Sequence, residues 1–129
     1  MSCIGWRLDP RVRSKLLKRL VPAWPDVIAN HMTLDMEAEP DAPLPEARQA
    51  KIVGAIDDGE GVQALVVSIA GATQRPDGGT YHITWSIDAL NNRRSIQSNG
   101  VIARLGWRAF DKSVDIEIIP TRLDHIEVQ

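Results

Sequence analysis

Residues 62–87, VQALVVSIAGATQRPDGGTYHITWSI, carry the clearest fold signal in the chain. Residues 62–73 are rich in Val, Ile and Ala, which is typical of a long strand. Residues 74–79, QRPDGG, combine a proline, an aspartate and two glycines, and such clusters favour turns. Residues 80–87 then read as the returning strand. The segment therefore predicts an antiparallel hairpin.

Apolar periodicity predicts further elements on both sides of this hairpin. A helix is expected over residues 10–21, because Asp9 is a good N-cap and Pro10 suits the first helical position. Residues 31–36 alternate between polar and apolar side chains and predict a strand. The other expectations are a helix over residues 46–56, mixed helix and loop over 91–105 with a possible break at the Ser98-Asn99-Gly100 stretch, and strands over 113–119 and 123–128. Together these elements predict an α+β fold.

The composition is that of one ordinary globular domain spanning residues 1–129. The chain is 43% hydrophobic and 25% charged, and it is long enough to bury a core without disulfides. The single cysteine, Cys3, and three histidines supply little material for a zinc site. No apolar run approaches the roughly 20 residues of a membrane span, and the N-terminus lacks the apolar region of a signal peptide. We therefore expect a cytoplasmic protein without membrane attachment.

The charge is nearly balanced overall but unevenly distributed along the chain. The formal net charge of −2 disfavours a broadly basic nucleic-acid coat, while six Lys and Arg residues fall within the first twenty positions. A basic amphipathic helix over residues 10–21 is able to bind a membrane or RNA. The favoured interpretation is a surface helix whose charges are solvated.

Two of the three histidines occur in the same local pattern. Residues 31–34 read HMTL and residues 82–85 read HITW, so each is His-hydrophobic-Thr-hydrophobic inside a predicted strand. Because side chains alternate along a strand, the imidazole and hydroxyl of each pattern share a face while the apolar residues point into the core. The candidate catalytic residues are therefore His31, Thr33, His82 and Thr84. The competing interpretation is coincidence, since threonine is common in strands.

Two such pairs facing one another form a phosphodiester site. One histidine takes a proton from the attacking water or hydroxyl, and the other gives a proton to the leaving oxygen. Imidazole titrates near 6.5 when unperturbed, so both roles are accessible near neutral pH. The two threonine hydroxyls donate hydrogen bonds to the non-bridging phosphate oxygens. This chemistry needs neither a metal nor a cofactor.

The paired patterns resemble the 2H phosphoesterase superfamily, and most closely its compact branch of RNA-repair proteins related to the cyclic phosphodiesterase portion of fungal tRNA ligases. The resemblance covers roughly residues 24–99 and rests on VIANHMTL and DGGTYHITWSID. It implies a bilobal α+β fold with a concave antiparallel sheet, whose groove holds both patterns. It also implies metal-independent cleavage of a cyclic or 2′–5′ phosphodiester in RNA or a nucleotide.

Three further residues near the second pattern are candidates for substrate binding. Arg75, in the predicted turn, is able to reach a phosphate, although it suits a solvated turn equally well. Ser86 follows Thr84 by two positions and would extend the row of hydroxyl donors. Tyr81 is able to stack on a base, but alternation favours a core position. Asp35 follows the first pattern on the same predicted face, where it either orients His31 or turns to solvent.

Two functions from different classes remain. The first is a small phosphodiesterase that acts on an RNA end or a nucleotide phosphodiester, in RNA repair or processing. The second is a non-catalytic module on the same fold, which binds a nucleotide, RNA or a partner protein. The enzyme requires all four side chains of the two patterns to converge on one groove. The acidic balance and the lack of an obvious apolar patch favour a monomer.

Overall fold

Eight strands and two α-helices form the described residues 1–125 of this chain, for which the structure is a computed structural model. In chain order they are β1 (Ser2–Arg7), α1 (Pro10–Arg19), β2 (Asp26–Val27), β3 (His31–Ala38), β4 (Gln49–Asp57), β5 (Val62–Ser68), β6 (His82–Ile87), α2 (Ser98–Leu105), β7 (Arg108–Glu117) and β8 (Ile119–Arg122). Single 3-10 turns occur at Ala89–Asn91, Ser95–Gln97 and Leu123–His125. The protein is therefore α+β, as the sequence predicts.

The strands form two sheets in which every pairing is antiparallel. The larger sheet has the order β2-β6-β5-β4-β7, and the smaller has the order β3-β1-β8. The predicted hairpin is confirmed, since β5 and β6 pair directly. Each sheet contains one of the two His-x-Thr strands.

The chain crosses between the sheets immediately before the first pattern. After β2 pairs with β6, the backbone N–H groups of Ile28 and Ala29 donate to the carbonyls of Trp85 (3.0 Å) and Thr84 (2.9 Å). Asn30 then accepts from the Leu8 N–H, and β3 continues against β1. We refer to residues 28–30 as the crossover. It ties the beginning of β3 to β6, although the two strands belong to different sheets.

The main core lies between the two sheets and helix α1. Fully buried residues from several strands fill it, among them Trp6, Met32, Ile52, Leu65, Ile83 and Trp85. Burying one large apolar side chain stabilises a fold by about 1.5–3 kcal/mol. Helix α1 adds Leu16, and its C-terminal end accepts a hydrogen bond at the Leu20 carbonyl from the Trp85 indole (2.7 Å). The second His-x-Thr strand is thus anchored from behind.

The predicted helix over residues 46–56 is wrong, because this segment contains strand β4. Local composition, with its Glu, Ala, Arg, Gln and Lys, favours a helix, but β4 is hydrogen-bonded on both edges, to β5 and to β7. Ala50 and Ile52 alternate into the core as a strand requires. Tertiary pairing has therefore overridden local propensity.

Several other boundaries also differ from the sequence predictions. Strand β1 was not expected, although it lies at the centre of the smaller sheet. Strand β5 ends at Ser68, because the chain reverses between Ile69 and Ala72 through two residues with positive φ. The prediction of a strand over 123–128 is wrong for Leu123–His125, which form a 3-10 turn. The rest of that predicted strand, from residue 126, lies outside the described residues. The stretch 98–100 begins α2 rather than breaking it.

Candidate functional site

A cavity of about 180 Å³ lies between the two His-x-Thr strands. Both sheets, the turn between β5 and β6, the 3-10 turn at Ser95–Gln97 and the start of α2 contribute to its lining. The lining residues are Cys3, His31, Thr33, Met36, Arg75, His82, Thr84, Ser95, Ile96 and Asn99. All four side chains of the two sequence patterns are therefore among its lining residues. Three larger surface hollows, of about 300, 430 and 410 Å³, contain no histidine.

The register of the crossover explains why the two histidines meet. Asp26 pairs with Ile87, Val27 with Ser86, and the Ala29 N–H donates to the Thr84 carbonyl. Residues 26–29 thus run antiparallel to residues 84–87 of β6. Two residues beyond Ala29, His31 lies close enough to His82 for the second ring to lower its pKa, and both line the cavity.

Both histidines are held through the same ring nitrogen. The Nδ1 atom of His31 lies 2.6 Å from the Asn30 side-chain oxygen, and Nδ1 of His82 lies 2.7 Å from the Thr80 carbonyl oxygen. Each oxygen accepts a hydrogen bond from Nδ1–H, so in the neutral ring Nε2 is unprotonated and available as a base. The same two contacts also orient the imidazolium form, in which Nε2 is an acid.

Burial lowers the pKa of both histidines below the ordinary value. For His31, which is 8% exposed, burial is the main cause, and the nearby His82 adds to it. For His82, burial again dominates, and the Arg75 guanidinium lowers the pKa further, against an opposing effect of the Thr80 carbonyl. Both shifts favour the neutral ring in the free protein at neutral pH.

The two threonines differ in what their hydroxyls do. The Thr84 hydroxyl donates to the Ser95 carbonyl (3.3 Å) and lies 2.8 Å from the Ser98 hydroxyl, so its proton is engaged inside the protein. Thr33 is half-buried near the Cys3 thiol; burial raises the pKa of this thiol, and Thr33 opposes the rise. Thr84 therefore joins β6 to the start of α2, a role that the sequence pattern does not indicate.

Ser95 is a cavity residue that the sequence did not single out. It is 4% exposed, and its hydroxyl has no hydrogen-bond partner in the described part of the chain. A buried hydroxyl without a partner is costly, and it is a suitable donor to a bound oxygen anion. Ser95 lies in a 3-10 turn far from both patterns in sequence, so no local signal marks it.

Arg75 brings a permanent positive charge to the cavity. Its side chain is 8% exposed and bonds to Asp77 twice, from Nε to Oδ1 and from Nη2 to Oδ2, each at 3.1 Å. The hairpin turn closes tightly over it, since a Cβ atom on Gly79 would lie 2.6 Å from Arg75 Nη2 and 2.9 Å from Asn99 Oδ1. Glycine at position 79 thus permits the packing of the guanidinium against the turn.

Two of the residues expected to bind substrate lie outside the cavity lining. Ser86 is fully buried and donates to Gln63 Oε1 (2.6 Å), while its hydroxyl accepts from the Trp24 N–H (3.1 Å). Tyr81 packs in the core, edge-to-face against Trp6 with ring centroids 5.9 Å apart. Their positions are structural.

A β-bulge lies at the last position of each pattern and determines which of the following residues reach the cavity. On β3, Thr33 and Asp35 face consecutive residues of β1, so residue 34 is the extra one. On β6, Thr84 and Ser86 face consecutive residues of β5, so residue 85 is the extra one. A bulge reverses the alternation beyond it. Consequently Ser86 and Asp35 turn away, and the exposed Asp35 carboxylate instead accepts from the Glu37 N–H (2.8 Å).

The same reversal brings Met36 to the cavity. Simple alternation predicts that Met36 points into the core with Met32, and that prediction is wrong. Met36 lines the cavity and is 49% exposed, whereas Met32 is fully buried.

The described residues were also compared with the requirements of a metal site and of a membrane-spanning helix. Within residues 1–125 no group of three His, Cys, Asp or Glu side chains is placed to hold a metal ion. Over the same part of the chain, neither α-helix has the length and apolar character to cross a membrane. Comparisons with protein-family models, with curated proteins and with solved structures give no match.

Proposed function

We propose that the protein is a metal-independent phosphodiesterase of the 2H type, with a bilobal 2H phosphoesterase-like fold, which hydrolyses a 2′,3′-cyclic phosphate or a related phosphodiester of RNA or a nucleotide. The observation that carries the proposal is the convergence of the two histidines. Both line one cavity, both are held at Nδ1, and both therefore have Nε2 available for proton transfer. A buried arginine lines the same cavity.

The reaction uses one histidine as base and the other as acid. Nε2 of the first takes a proton from water, and the water oxygen forms a bond to phosphorus. The bond from phosphorus to one ribose oxygen breaks, and Nε2–H of the second histidine protonates that oxygen. The product is a phosphomonoester with a free neighbouring hydroxyl, and the two histidines have exchanged protonation states.

The substrate's negative charge favours the protonated imidazole that the acid step needs, and the proton itself comes from solvent. Burial keeps both free histidines neutral, but a phosphate anion in the cavity favours a charged imidazolium and raises its pKa. Because kcat/KM reports the pKa values of the free enzyme, its optimum is expected on the acidic side of the ordinary histidine value. We expect Arg75 and the unpartnered Ser95 hydroxyl, both of residues that line the cavity, to donate to the non-bridging oxygens.

The test is hydrolysis of an oligonucleotide that ends in a 2′,3′-cyclic phosphate, in the presence of EDTA. The wild type is compared with His31→Ala and His82→Ala, and Lys51→Ala, an exposed residue of β4, is the control. A general acid or base contributes about 10²–10⁴-fold, so each histidine variant is expected to lose activity on that scale. Circular dichroism checks that the variants are folded. Activity retained in both histidine variants would overturn the proposal, as would a folded wild type that hydrolyses no cyclic or 2′–5′ diester.

A second candidate is a module that binds phosphate without turnover. It is favoured by the neutral state of both histidines, which leaves the free protein without a charged acid at neutral pH, and by the engaged Thr84 hydroxyl. Calorimetry with a nucleoside 2′-monophosphate and a nucleoside 3′-monophosphate, together with the hydrolysis assay, distinguishes the enzyme from the binding module. If the wild type binds either monophosphate but hydrolyses no diester, the protein is a binding module.

A further inference from the structure

We infer that the substrate is a mononucleotide-sized diester whose base lies between Met36 and Ile96, rather than the end of a long RNA held along its backbone. This inference rests on the proposed function and narrows its substrate class. It follows from the volume of the cavity, from the apolar residues at its edge and from the charges that line it.

The cavity is too small to enclose a nucleotide. Pockets that enclose drug-sized ligands have volumes of about 300–1,000 Å³, whereas this cavity measures about 180 Å³. The histidines, Arg75 and Ser95 are all strongly or partly buried, so the phosphate binds at the inner end. The base attached to the same ribose must then remain near the opening.

Apolar side chains flank the opening on both sides. Met36 belongs to β3 of the smaller sheet, and Ile96 belongs to the 3-10 turn that precedes α2, beside the larger sheet. Both line the cavity, yet Met36 is 49% exposed and Ile96 is 58% exposed. A thioether against an aromatic ring contributes about 0.3–1.5 kcal/mol, and the exposed Ile96 side chain offers apolar surface that a base would cover. We therefore expect the base to contact both residues.

The charges around the cavity do not suit a polyanion. Among its lining residues, Arg75 alone is a Lys or Arg, and Asp77 neutralises much of its charge. Exposed Asp35 and Glu37 flank Met36 on β3, and they offset two exposed cations near the site, namely Arg94, next to Ser95, and Arg7, the cross-strand partner of His31. Proteins that hold single strands along the backbone use several cations, and each phosphate contact adds about 0.7 to the slope of log affinity against log salt.

The decisive experiment compares three substrates under the same conditions. They are a nucleoside 2′,3′-cyclic monophosphate, an oligonucleotide about 20 residues long with the same cyclic end, and glycerol 1,2-cyclic phosphate, which has no base. We expect kcat/KM for the first two to agree within about fivefold, with a salt slope below about 1.5 for both. The baseless diester is expected to have a higher KM.

Variants at the opening test the position of the base. Met36→Ala and Ile96→Ala are each expected to raise KM for the mononucleotide by about 3–10-fold with kcat unchanged, because only contacts with the base are lost. Neither variant is expected to affect the baseless diester. Leu90→Ala is the matched control, since Leu90 is an exposed apolar residue outside the cavity lining.

The outcomes separate this inference from the proposed function. If the wild type hydrolyses the cyclic phosphates but prefers the oligonucleotide by more than about 100-fold, with a salt slope of several units, the inference is wrong and the phosphodiesterase proposal stands. The inference also fails if the variants at positions 36 and 96 leave KM for the mononucleotide unchanged. If the wild type hydrolyses none of the three substrates or any other phosphodiester, the phosphodiesterase proposal itself fails.

Discussion

Replacing Arg13 by methionine is expected to weaken the site from a distance, because this side chain holds the crossover that positions His31. Arg13 lies on α1, among the basic residues that the sequence places on a solvated surface. In the structure it is half-buried, and it donates from Nε to the Ala29 carbonyl (3.0 Å) and from Nη2 to the Ile28 carbonyl (3.3 Å). Ala29 itself is fully buried and has a φ of 47°, so the crossover bends sharply just before the first pattern.

The two hydrogen bonds determine the expected size of the effect. A hydrogen bond to a charged group contributes about 1.5–3 kcal/mol, and here one of the two is long and the donor is partly solvated. We therefore expect Arg13→Met to lower the free energy of unfolding by about 2–4 kcal/mol. Displacement of a catalytic group by about 1 Å reduces rates by up to about 100-fold, so kcat is expected to fall by about 10–100-fold at temperatures where the variant is folded.

Urea denaturation measures the loss of stability, and steady-state kinetics on a cyclic nucleotide measure kcat and KM. Lys15→Met is the matched control, since it removes an exposed cation from the same helix. Arg13→Lys is expected to recover only part of both losses, because an ammonium does not reproduce the planar fork of the guanidinium. Two-dimensional NMR of the imidazole nitrogens reports on His31 directly. An unchanged His31 signal and unchanged kcat in a folded Arg13→Met protein would refute the reasoning that links Arg13 to the site.

Two further predictions concern the histidines. Burial lowers the pKa of His31 and His82 in the folded state, so the unfolded chain binds more protons below about pH 6.5. The free energy of unfolding should therefore fall as the pH is lowered from 7 towards 5. Urea midpoints across this range measure the fall, and a variant that carries both His31→Asn and His82→Asn should show a flatter profile. Asn30→Asp would place a carboxylate at the 2.6 Å contact with His31 Nδ1 and should raise the pKa of His31. An NMR titration that finds this pKa unchanged or lower would contradict the assigned orientation of the ring.

The parts of the fold that the sequence predicts well are those held by local signals. The hairpin of β5 and β6 has a dense turn between two strand-forming segments, and α1 has Asp9, which accepts from the Arg11 N–H (2.8 Å) at its N-terminus. Strands β1 and β4 lack such signals. Strand β1 is paired on both edges by strands distant in sequence, and β4 pairs with the next strand, β5, on one edge and with the distant β7 on the other. Their conformation therefore depends on partners that a local pattern does not reveal.

The candidate site shows the same division. The pattern in each strand predicts that an imidazole and a hydroxyl share a face, and all four of those residues line the cavity. The meeting of the two strands depends on the crossover, which is a tertiary feature. Ser95 reaches the cavity from the 3-10 turn before α2, and Met36 reaches it beyond a bulge. Strict alternation along the sequence predicts neither position.

The two bulges provide an argument for function that is independent of the sequence pattern. In both strands the extra residue occupies the fourth position of the His-x-Thr-x pattern, residue 34 in β3 and residue 85 in β6, although the strands lie in different sheets and have different neighbours. The register also shifts elsewhere, further along β3 and within β4, but here the shift falls at the same position of two matching sequences. Bulges are common beside active sites, where they redirect side chains. Here each bulge confines the polar face to one histidine and one threonine and turns the next polar residue, Asp35 or Ser86, away from the cavity. A carboxylate is thereby kept from the place where a phosphate would bind.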